Sequence, residues 1–111
     1  MLVTMKQLLD CARAEKTAVP AFNIYNLETI QAVSTAAKSS KCPIILSFGE
    51  SYFNHVPIEI IAAAAKAAVA ISDITAALHL DHAKKPESIQ KAIQVGFTSV
   101  MYDGSRLPFK E

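Results

Sequence analysis

Residues 75–85 read T-A-A-L-H-L-D-H-A-K-K, an apolar run that ends in an acid and an imidazole. The apolar run predicts a buried strand, and Pro86 fits the first position of a helix that follows it. Asp81 and His82 therefore lie where the strand ends. In barrel enzymes built from parallel strands, catalytic groups occupy these carboxyl ends and the loops behind them. The stretch predicts a functional site at the carboxyl edge of a parallel sheet.

Apolar strands and amphipathic helices alternate on both sides of this stretch. A capping box at Thr4–Gln7 opens the first helix, Asn26 caps the second, and the third begins at Pro57 or Ile58. Strict alternation of this kind is typical of right-handed βαβ units and an α/β fold with a parallel sheet. Strands are expected at Ala18–Asn23, Pro43–Phe48, Thr75–Asp81 and Phe97–Asp103.

Helical spacing predicts which side chains the helices bury. In the second helix this places Leu27 and Ile30 toward the core, and in the fourth it places Ala92 and Ile93 there. Residues 107–111 resemble the opening of one more helix.

Composition excludes several classes of function. The 111 residues are 51% hydrophobic and carry 11 basic and 10 acidic side chains without a basic stripe, so nucleic acid is not an expected partner. The apolar stretches are interrupted by charge, which excludes a membrane span, and the first ten residues lack signal-peptide order, which favours the cytoplasm. Cys11 and Cys42 match no metal or redox spacing.

Asp81 and His82 are the first candidates for chemistry. A partly buried carboxylate at a strand end can act as a general acid or base, and an imidazole can ligate a metal through one nitrogen while the other is held in place. The alternative is structural: Asp81 caps the following loop and His82 bonds to the backbone. An Asp-His pair alone does not decide between them. His79 lies two residues before Asp81, and a regular strand would turn His79 and His82 to opposite faces, so we expect His79 in the core or behind the site.

Polar residues also end the other strands. Asn23 ends the first and Asp103 the fourth, so both can approach Asp81 at one barrel mouth. Ser47 lies near the end of the second strand, where its hydroxyl could contact a substrate or merely line a loop. No lysine lies at a buried strand end, which argues against Schiff-base chemistry.

Three blocks together resemble the class II aldolases, the metal-dependent fructose-bisphosphate and tagatose-bisphosphate aldolase family. They are A-V-P-A-F-N-I-Y-N-L-E-T-I-Q-A at 18–32, H-L-D-H at 79–82 and G-F-T-S-V-M-Y-D-G-S-R-L-P-F at 96–109. The blocks fall in the family's order and approximate spacing along the chain. The resemblance implies a (β/α)8 TIM barrel, of which this chain supplies the opening helix and roughly the first four strands. The implied reaction is cleavage of fructose or tagatose 1,6-bisphosphate, or a related ketose phosphate, to dihydroxyacetone phosphate and an aldehyde.

The resemblance also implies roles for single residues. Asp81 corresponds to the catalytic acid/base and His82 to a zinc ligand, with Zn²⁺ polarising the substrate ketone. Asp103 lies near the metal and can contribute to an alternative cation position, and Asn23 lines the substrate pocket. Relatives often carry a serine that contacts substrate at the position of Gly49. Ser47 and Gly49 are therefore candidate substrate contacts, although Gly49 lacks that serine's hydroxyl.

The length of the chain limits what it can do alone. A barrel of this type needs about 250 residues, and one histidine cannot hold a catalytic zinc ion. We therefore expect residues 1–111 to be the N-terminal half of a single barrel domain, inactive by itself, whose parent is a cytoplasmic enzyme of carbohydrate metabolism such as glycolysis. The alternative is a non-catalytic half-barrel that self-associates or pairs with a complementary chain. Open sheet edges make a homo-oligomer the expected state.

Overall fold

A computed structural model describes all 111 residues as four strands that alternate with four helices. A short 3₁₀ turn at Glu50–Tyr52 follows the second strand. None of the helices combines the length and the apolar character needed to cross a membrane. The helices are α1 (Met5–Ala14), α2 (Leu27–Ser40), α3 (Ile58–Ser72) and α4 (Pro86–Gln94), and the strands are β1 (Ala21–Asn23), β2 (Ile44–Gly49), β3 (Ala76–Ala83) and β4 (Ser99–Tyr102).

Local sequence explains where most helices begin and end. Thr4 accepts a hydrogen bond from the Gln7 backbone while the Gln7 side chain bonds back, so the predicted capping box is confirmed. The Asn26 side chain caps α2 in the same way. Pro86 lies at the start of α4, and Gly96 follows its end with φ +94°, a conformation that glycine adopts without strain.

The strands form one parallel sheet in the order β1-β2-β3-β4. Each neighbouring pair is joined through a helix, so the predicted α/β class is confirmed. The register places Asn23 beside Ser47, Ser47 beside His79, and His79 beside Ser99. In-register residues of parallel strands point to the same face, so this row of polar side chains crosses the whole sheet on one side.

The two faces of the sheet are covered differently. Helices α2, α3 and α4 cover one face with an apolar core that includes Leu46, Phe48, Leu78 and Leu80. Burying each of these side chains contributes roughly 1.5–3 kcal/mol. On the other face α1 packs against Ile45 and Ala77 at the amino ends of the strands. The part of that second face near the carboxyl ends of the strands carries the polar row and Asp81.

Some predicted details are wrong. Leu27 and Ile93 are exposed, because α2 and α4 bury Ile30 and Ala92 and turn these neighbours outward. Residues 107–111 form turns without a helix. The first strand is shorter than predicted, and the third continues to Ala83, two residues beyond Asp81.

Candidate functional site

The end of β3 carries an irregularity that shapes the site. Register with β4 shifts between Leu80 and Ala83, and His82 within this bulge has φ +49°. A residue with a Cβ in the left-handed region costs roughly 1–2 kcal/mol, so the surrounding structure must hold it there. Backbone strain of this kind clusters at functional sites.

The bulge changes the direction of the two imidazoles. A regular strand would turn His79 and His82 to opposite faces, but the register shift between Leu80 and Ala83 interrupts the strand at this point. Nε2 of His79 and Nε2 of His82 each lie 3.8 Å from Oδ1 of Asp81. One carboxylate is thus flanked by two imidazoles at the carboxyl edge of the sheet.

The His82 ring is held from one side and free on the other. Its Nδ1 lies 3.0 Å from Oδ2 of Asp103, across from β3 to the end of β4. Its Nε2 has no hydrogen-bond partner, since the 3.8 Å to Asp81 is too long for one. The side chain is 63% exposed. An imidazole whose one nitrogen is fixed by a carboxylate while the other is open to solvent has the arrangement of a metal-ligating histidine.

Each carboxylate oxygen of Asp103 has a hydrogen-bond partner. Its Oδ2 meets His82, and its Oδ1 accepts a hydrogen bond from the backbone N–H of Ser105 at 3.0 Å. Bonds from the Ser105 side chain and backbone, and then from His82, hold the pKa of Asp103 well below its ordinary value of 3.8. The group is therefore an anion at neutral pH, and it orients the His82 ring.

His79 lies behind Asp81 in a drier environment. Its Nδ1 is hydrogen-bonded to Oγ of Ser99 at 2.8 Å, which fixes the ring on the polar row of the sheet. Burial lowers the pKa of His79 below its ordinary value of 6.5; the Asp81 carboxylate opposes that shift and His82 adds to it. The ring is neutral at neutral pH. Asp81 therefore has a neutral imidazole on one side and an exposed imidazole on the other, each 3.8 Å from its Oδ1 atom.

Glu50 directly follows β2 and contacts the turn between β3 and α4. Its carboxylate accepts hydrogen bonds from the backbone N–H groups of Lys84 and Lys85, at 3.0 and 3.3 Å. Burial opposes its ionisation, but these bonds and one from the Ser88 hydroxyl lower its pKa below the ordinary value of 4.5. Lys85 is the N-cap of α4 and makes no side-chain cap bond of its own. Glu50 thus supplies the missing cap from the loop after β2, and it anchors the turn that directly follows His82.

The remaining predicted site residues lie on the same face of the sheet, on β1 and β2. Asn23 is on the outer strand β1, in register with the buried Ser47 of β2. Gly49 pairs with Asp81 across β2 and β3. A Cβ at Gly49 would lie 3.5 Å from the Ser51 hydroxyl and 3.9 Å from Tyr52, which is ordinary contact, so this position has room for a Cβ. The predicted convergence thus brings together Asp81 and Asp103, joined through His82.

The side chains at this edge are of the types that bind zinc, but there are too few of them to form a catalytic zinc site. Imidazole nitrogen and carboxylate oxygen are zinc ligands, and a catalytic zinc site uses about three protein ligands. No three histidine, cysteine, aspartate or glutamate side chains of the chain come together in an arrangement that could hold a metal ion. One open ligand, Nε2 of His82, therefore fits a zinc site that needs further donors.

Comparison with known families agrees with this geometry. The class II fructose-bisphosphate aldolase family matches residues 3–111, almost the whole chain. The chain belongs to the class II aldolase family.

Solved class II aldolase structures share its fold. The YdjI aldolase from Escherichia coli K12 superimposes with a TM-score of 0.92 at 28% identity, covering 100% of this chain and 43% of that one. A protein assigned as a fructose-1,6-bisphosphate aldolase from Coccidioides immitis gives 0.83 at 32% identity, covering 94% and 41%. Fructose-bisphosphate aldolase from Campylobacter jejuni, at 23% identity, gives 0.74 and covers 92% and 37%, which shows the fold alone.

These coverages define what part of an aldolase the chain represents. It spans about two fifths of the length of the structures that it matches. Its four-stranded parallel sheet with alternating helices resembles the N-terminal half of their TIM barrels, which confirms the predicted fold.

Proposed function

We propose that residues 1–111 supply the acid/base and one metal ligand of a zinc-dependent aldolase that cleaves a ketose bisphosphate to dihydroxyacetone phosphate and an aldehyde. The observation that carries the proposal is the arrangement at the end of β3. His82 is fixed through Nδ1 by Asp103 and leaves Nε2 open, beside the partly exposed carboxylate of Asp81. Family membership supports aldol chemistry for this arrangement.

His82 would hold the metal through Nε2. The strained backbone and the Asp103 bond fix the ring before any ligand binds, which reduces the ordering that binding requires. When bound, Zn²⁺ supplies a Lewis acid that polarises the substrate carbonyl. Asp103 acts as the orienting partner of His82, and the free lone pairs of its two oxygens could contribute to an alternative cation position. The further zinc ligands lie outside residues 1–111.

Asp81 would move the proton. Its carboxylate takes the proton from the substrate hydroxyl during cleavage and returns it to the aldehyde oxygen during condensation. It lies at the mouth of the sheet rather than in the core, where a substrate can reach it. The buried neutral ring of His79 limits its movement on the inner side. This geometry lets one carboxylate serve both directions of the reaction.

The polar face of the sheet would line the sugar-phosphate pocket. Asn23 and Ser47 continue the polar row away from His79, and Gly49 lies beside Asp81 with room for a ligand atom. Fructose and tagatose 1,6-bisphosphate are both candidate substrates, since none of these contacts distinguishes their hydroxyl configurations. We propose that the parent protein is a cytoplasmic, homo-oligomeric enzyme of carbohydrate metabolism, with glycolysis as the first candidate pathway.

A second candidate is a non-catalytic assembly module. The outer strand β1 is exposed along its length, and β4 carries the exposed side chains of Val100 and Tyr102. Edges of this kind pair readily with other strands. In this alternative the half-barrel pairs with itself or with a complementary chain and does no chemistry. The test below distinguishes the two functions, because the role of an assembly module would not require the Asp81 carboxylate.

The test uses the native product of the gene that encodes these residues, at whatever length the cell makes it. The product and its Asp81→Asn and His82→Ala variants are assayed for bound zinc and for cleavage of fructose and tagatose 1,6-bisphosphate. We expect Asp81→Asn to keep zinc and lose about 10²–10⁴-fold in kcat, the usual contribution of general acid–base catalysis. His82→Ala should lose zinc and activity together.

Glu59→Gln is the matched control, because Glu59 is an exposed carboxylate on α3 that forms only a surface ion pair with Lys91. It should leave both zinc content and kcat unchanged. Unchanged cleavage in Asp81→Asn, or full zinc content in His82→Ala, would contradict the proposal.

A further inference from the structure

Three aromatic rings lie at the carboxyl edge of the sheet, on the loops that follow β1 and β2. Tyr25 lies in the first loop, and Tyr52 and His55 lie in the second. The ring centroids of Tyr25 and Tyr52 are 4.6 Å apart, and those of Tyr52 and His55 are 5.8 Å apart. These separations are typical of packed rings, so Tyr52 has a ring against each side. The three residues are called the aromatic cluster below.

The backbone around Tyr52 is held firmly, although the side chain is open to solvent. The Tyr52 carbonyl oxygen accepts hydrogen bonds from the N–H groups of His55 and Val56, at 2.9 and 3.1 Å, which close the loop. The next residue, Phe53, stacks on the core residue Phe48 with ring centroids 5.9 Å apart. Tyr52 is nevertheless 36% exposed. An aromatic side chain that is already fixed loses little freedom when a ligand packs against it.

The Tyr52 ring borders the part of the sheet edge that adjoins Asp81. A Cβ at Gly49 would lie 3.9 Å from Cδ2 of Tyr52, so the ring flanks the open space at Gly49. Gly49 is paired in register with Asp81, and neighbouring strands are about 4.8 Å apart. On the other side of Asp81, His82 is bonded to Asp103 at the end of β4. Along the edge of the sheet, Asp81 therefore lies between the aromatic cluster and the candidate zinc ligand.

The proposed function decides which part of the substrate would meet the aromatic cluster. His82 would hold the metal that polarises the ketone, so the ketone half of the substrate would lie on the β4 side of Asp81. Asp81 would exchange a proton with the aldehyde oxygen, so the aldehyde carbon would lie at its carboxylate. The remaining carbons of the aldehyde half would then extend toward β2, where Gly49 has no side chain to block them. In that direction they would meet Ser51 and Tyr52.

The charge of the two loops argues for an uncharged group at the aromatic cluster. Residues 24–26 and 49–57 contain no lysine or arginine that could pair with a phosphate. Their one carboxylate, Glu50, is bonded to the backbone N–H groups of Lys84 and Lys85. A hydroxylated carbon chain, by contrast, finds aromatic rings for its C–H groups and the Ser51 hydroxyl for its oxygens. The surface therefore fits the carbon chain of an aldehyde rather than its phosphate.

We infer that Tyr52 is a specificity-determining residue that contacts the carbon chain of the aldehyde half of the substrate. This role rests on the proposed aldolase function and adds a contact on the β2 side of Asp81. Tyr25 positions the ring of Tyr52, because its own backbone N–H is bonded to the Thr29 hydroxyl in the cap of α2, at 2.9 Å. Neither tyrosine takes part in making or breaking a bond. A ring that only stabilised its loop would instead affect every step of the reaction alike.

The test uses the native gene product and two reactions of dihydroxyacetone phosphate. In condensation, the carbon beside its carbonyl loses a proton and attacks the aldehyde, whose oxygen takes up a proton. Without an aldehyde, the same carbon takes a proton back from the solvent, so in heavy water its hydrogen is replaced by deuterium. NMR measures this exchange, and the KM for glyceraldehyde 3-phosphate is measured in condensation. Only condensation uses a contact to the aldehyde half.

Three substitutions of Tyr52 separate a substrate contact from a structural role. Tyr52→Ala removes the ring, and Tyr52→Leu removes it but keeps an apolar side chain in the loop. We expect both to raise the KM for the aldehyde roughly 10-fold and to leave the exchange rate unchanged, since a packed ring contributes about that factor. Tyr52→Phe keeps the ring, so its KM should return to within about threefold of the unmodified value.

The outcomes also separate this inference from the proposed function. An unchanged KM in Tyr52→Leu, or equal losses of condensation and exchange in Tyr52→Leu, would overturn the inference and leave the proposed function standing. An unmodified product that catalyses neither exchange nor condensation would refute the proposed function, and the role of Tyr52 with it.

Discussion

Removal of the Glu50 carboxylate should loosen the start of α4 and the turn behind His82. The carboxylate accepts hydrogen bonds from the backbone N–H groups of Lys84 and Lys85, and the Ser88 hydroxyl helps to lower its pKa. No side chain of the helix itself takes over this role, since the N-cap Lys85 has no cap bond. Glu50→Gln keeps an acceptor oxygen but loses the negative charge at the positive end of the helix, and Glu50→Ala loses both.

The expected magnitude follows from these contacts. Loss of an N-terminal cap costs about 0.5–2 kcal/mol, and a charge near a helix end contributes about 0.3–1 kcal/mol when partly exposed. We therefore expect Glu50→Gln to lower the free energy of unfolding by about 1 kcal/mol and Glu50→Ala by about 2 kcal/mol. For a chain of this size, 1 kcal/mol corresponds to a fall of about 4 °C in Tm.

Urea unfolding followed by circular dichroism measures these differences. Glu59→Gln is the control, because its partner Lys91 is exposed and surface ion pairs contribute about 0–1 kcal/mol. The pKa of Glu50 is lowered in the folded state, so its stabilisation is complete above the ordinary value of 4.5 and is lost as the pH falls through the folded pKa. The gap between the unmodified chain and Glu50→Gln should therefore close in acid. Equal losses in Glu50→Gln and Glu59→Gln, or a gap that widens in acid, would refute the reasoning.

Three further predictions concern the core and the site. Phe48→Ala should destabilise the fold by about 3–5 kcal/mol in urea unfolding, since Phe48 is fully buried, whereas Ile93→Ala should change it by less than about 0.5 kcal/mol. In NMR titration His79 should take up its proton below pH 6.5, because burial disfavours the charged ring; a midpoint above that value would contradict this. Asp103 should titrate well below 3.8, and Ser105→Ala should raise its pKa by removing the largest contribution, the hydroxyl of Ser105; an unchanged pKa would contradict a role of that hydroxyl.

The alternation of strands and helices and the residues at which the helices begin were predictable, because their sequence signals are local. Capping boxes, a proline at the start of α4 and short apolar runs each act within a few residues, and they agree along the chain. The misplacement of Leu27 and Ile93 has a different origin. Helical spacing defines a stripe but not how far around the helix the sheet reaches, and in both helices the buried stripe is narrower than predicted: Ile30 and Ala92 are buried, but Leu27 and Ile93 are not.

The composition of the site was predictable but its geometry was not. Asp81, His82 and Asp103 could be assigned to strand ends from the sequence and from the family resemblance. The bulge that turns His79 and His82 toward one carboxylate depends on the register between β3 and β4, which no local pattern encodes. The contacts of Glu50 were not predictable for the same reason, because its hydrogen-bond partners lie 34 and 35 residues away in the chain. The sequence signal available was an acidic residue after one strand and an uncapped helix start after the next.

The central claim is that the carboxyl edge of this sheet belongs to a zinc-dependent aldolase. The most direct measurement is cleavage of fructose and tagatose 1,6-bisphosphate by the native gene product, before and after removal of metal by a chelator. We expect cleavage of at least one of these substrates, its loss when the metal is removed, and its return when Zn²⁺ is added back. Cleavage that persists without metal, or a native product that binds zinc yet cleaves neither substrate, would contradict it.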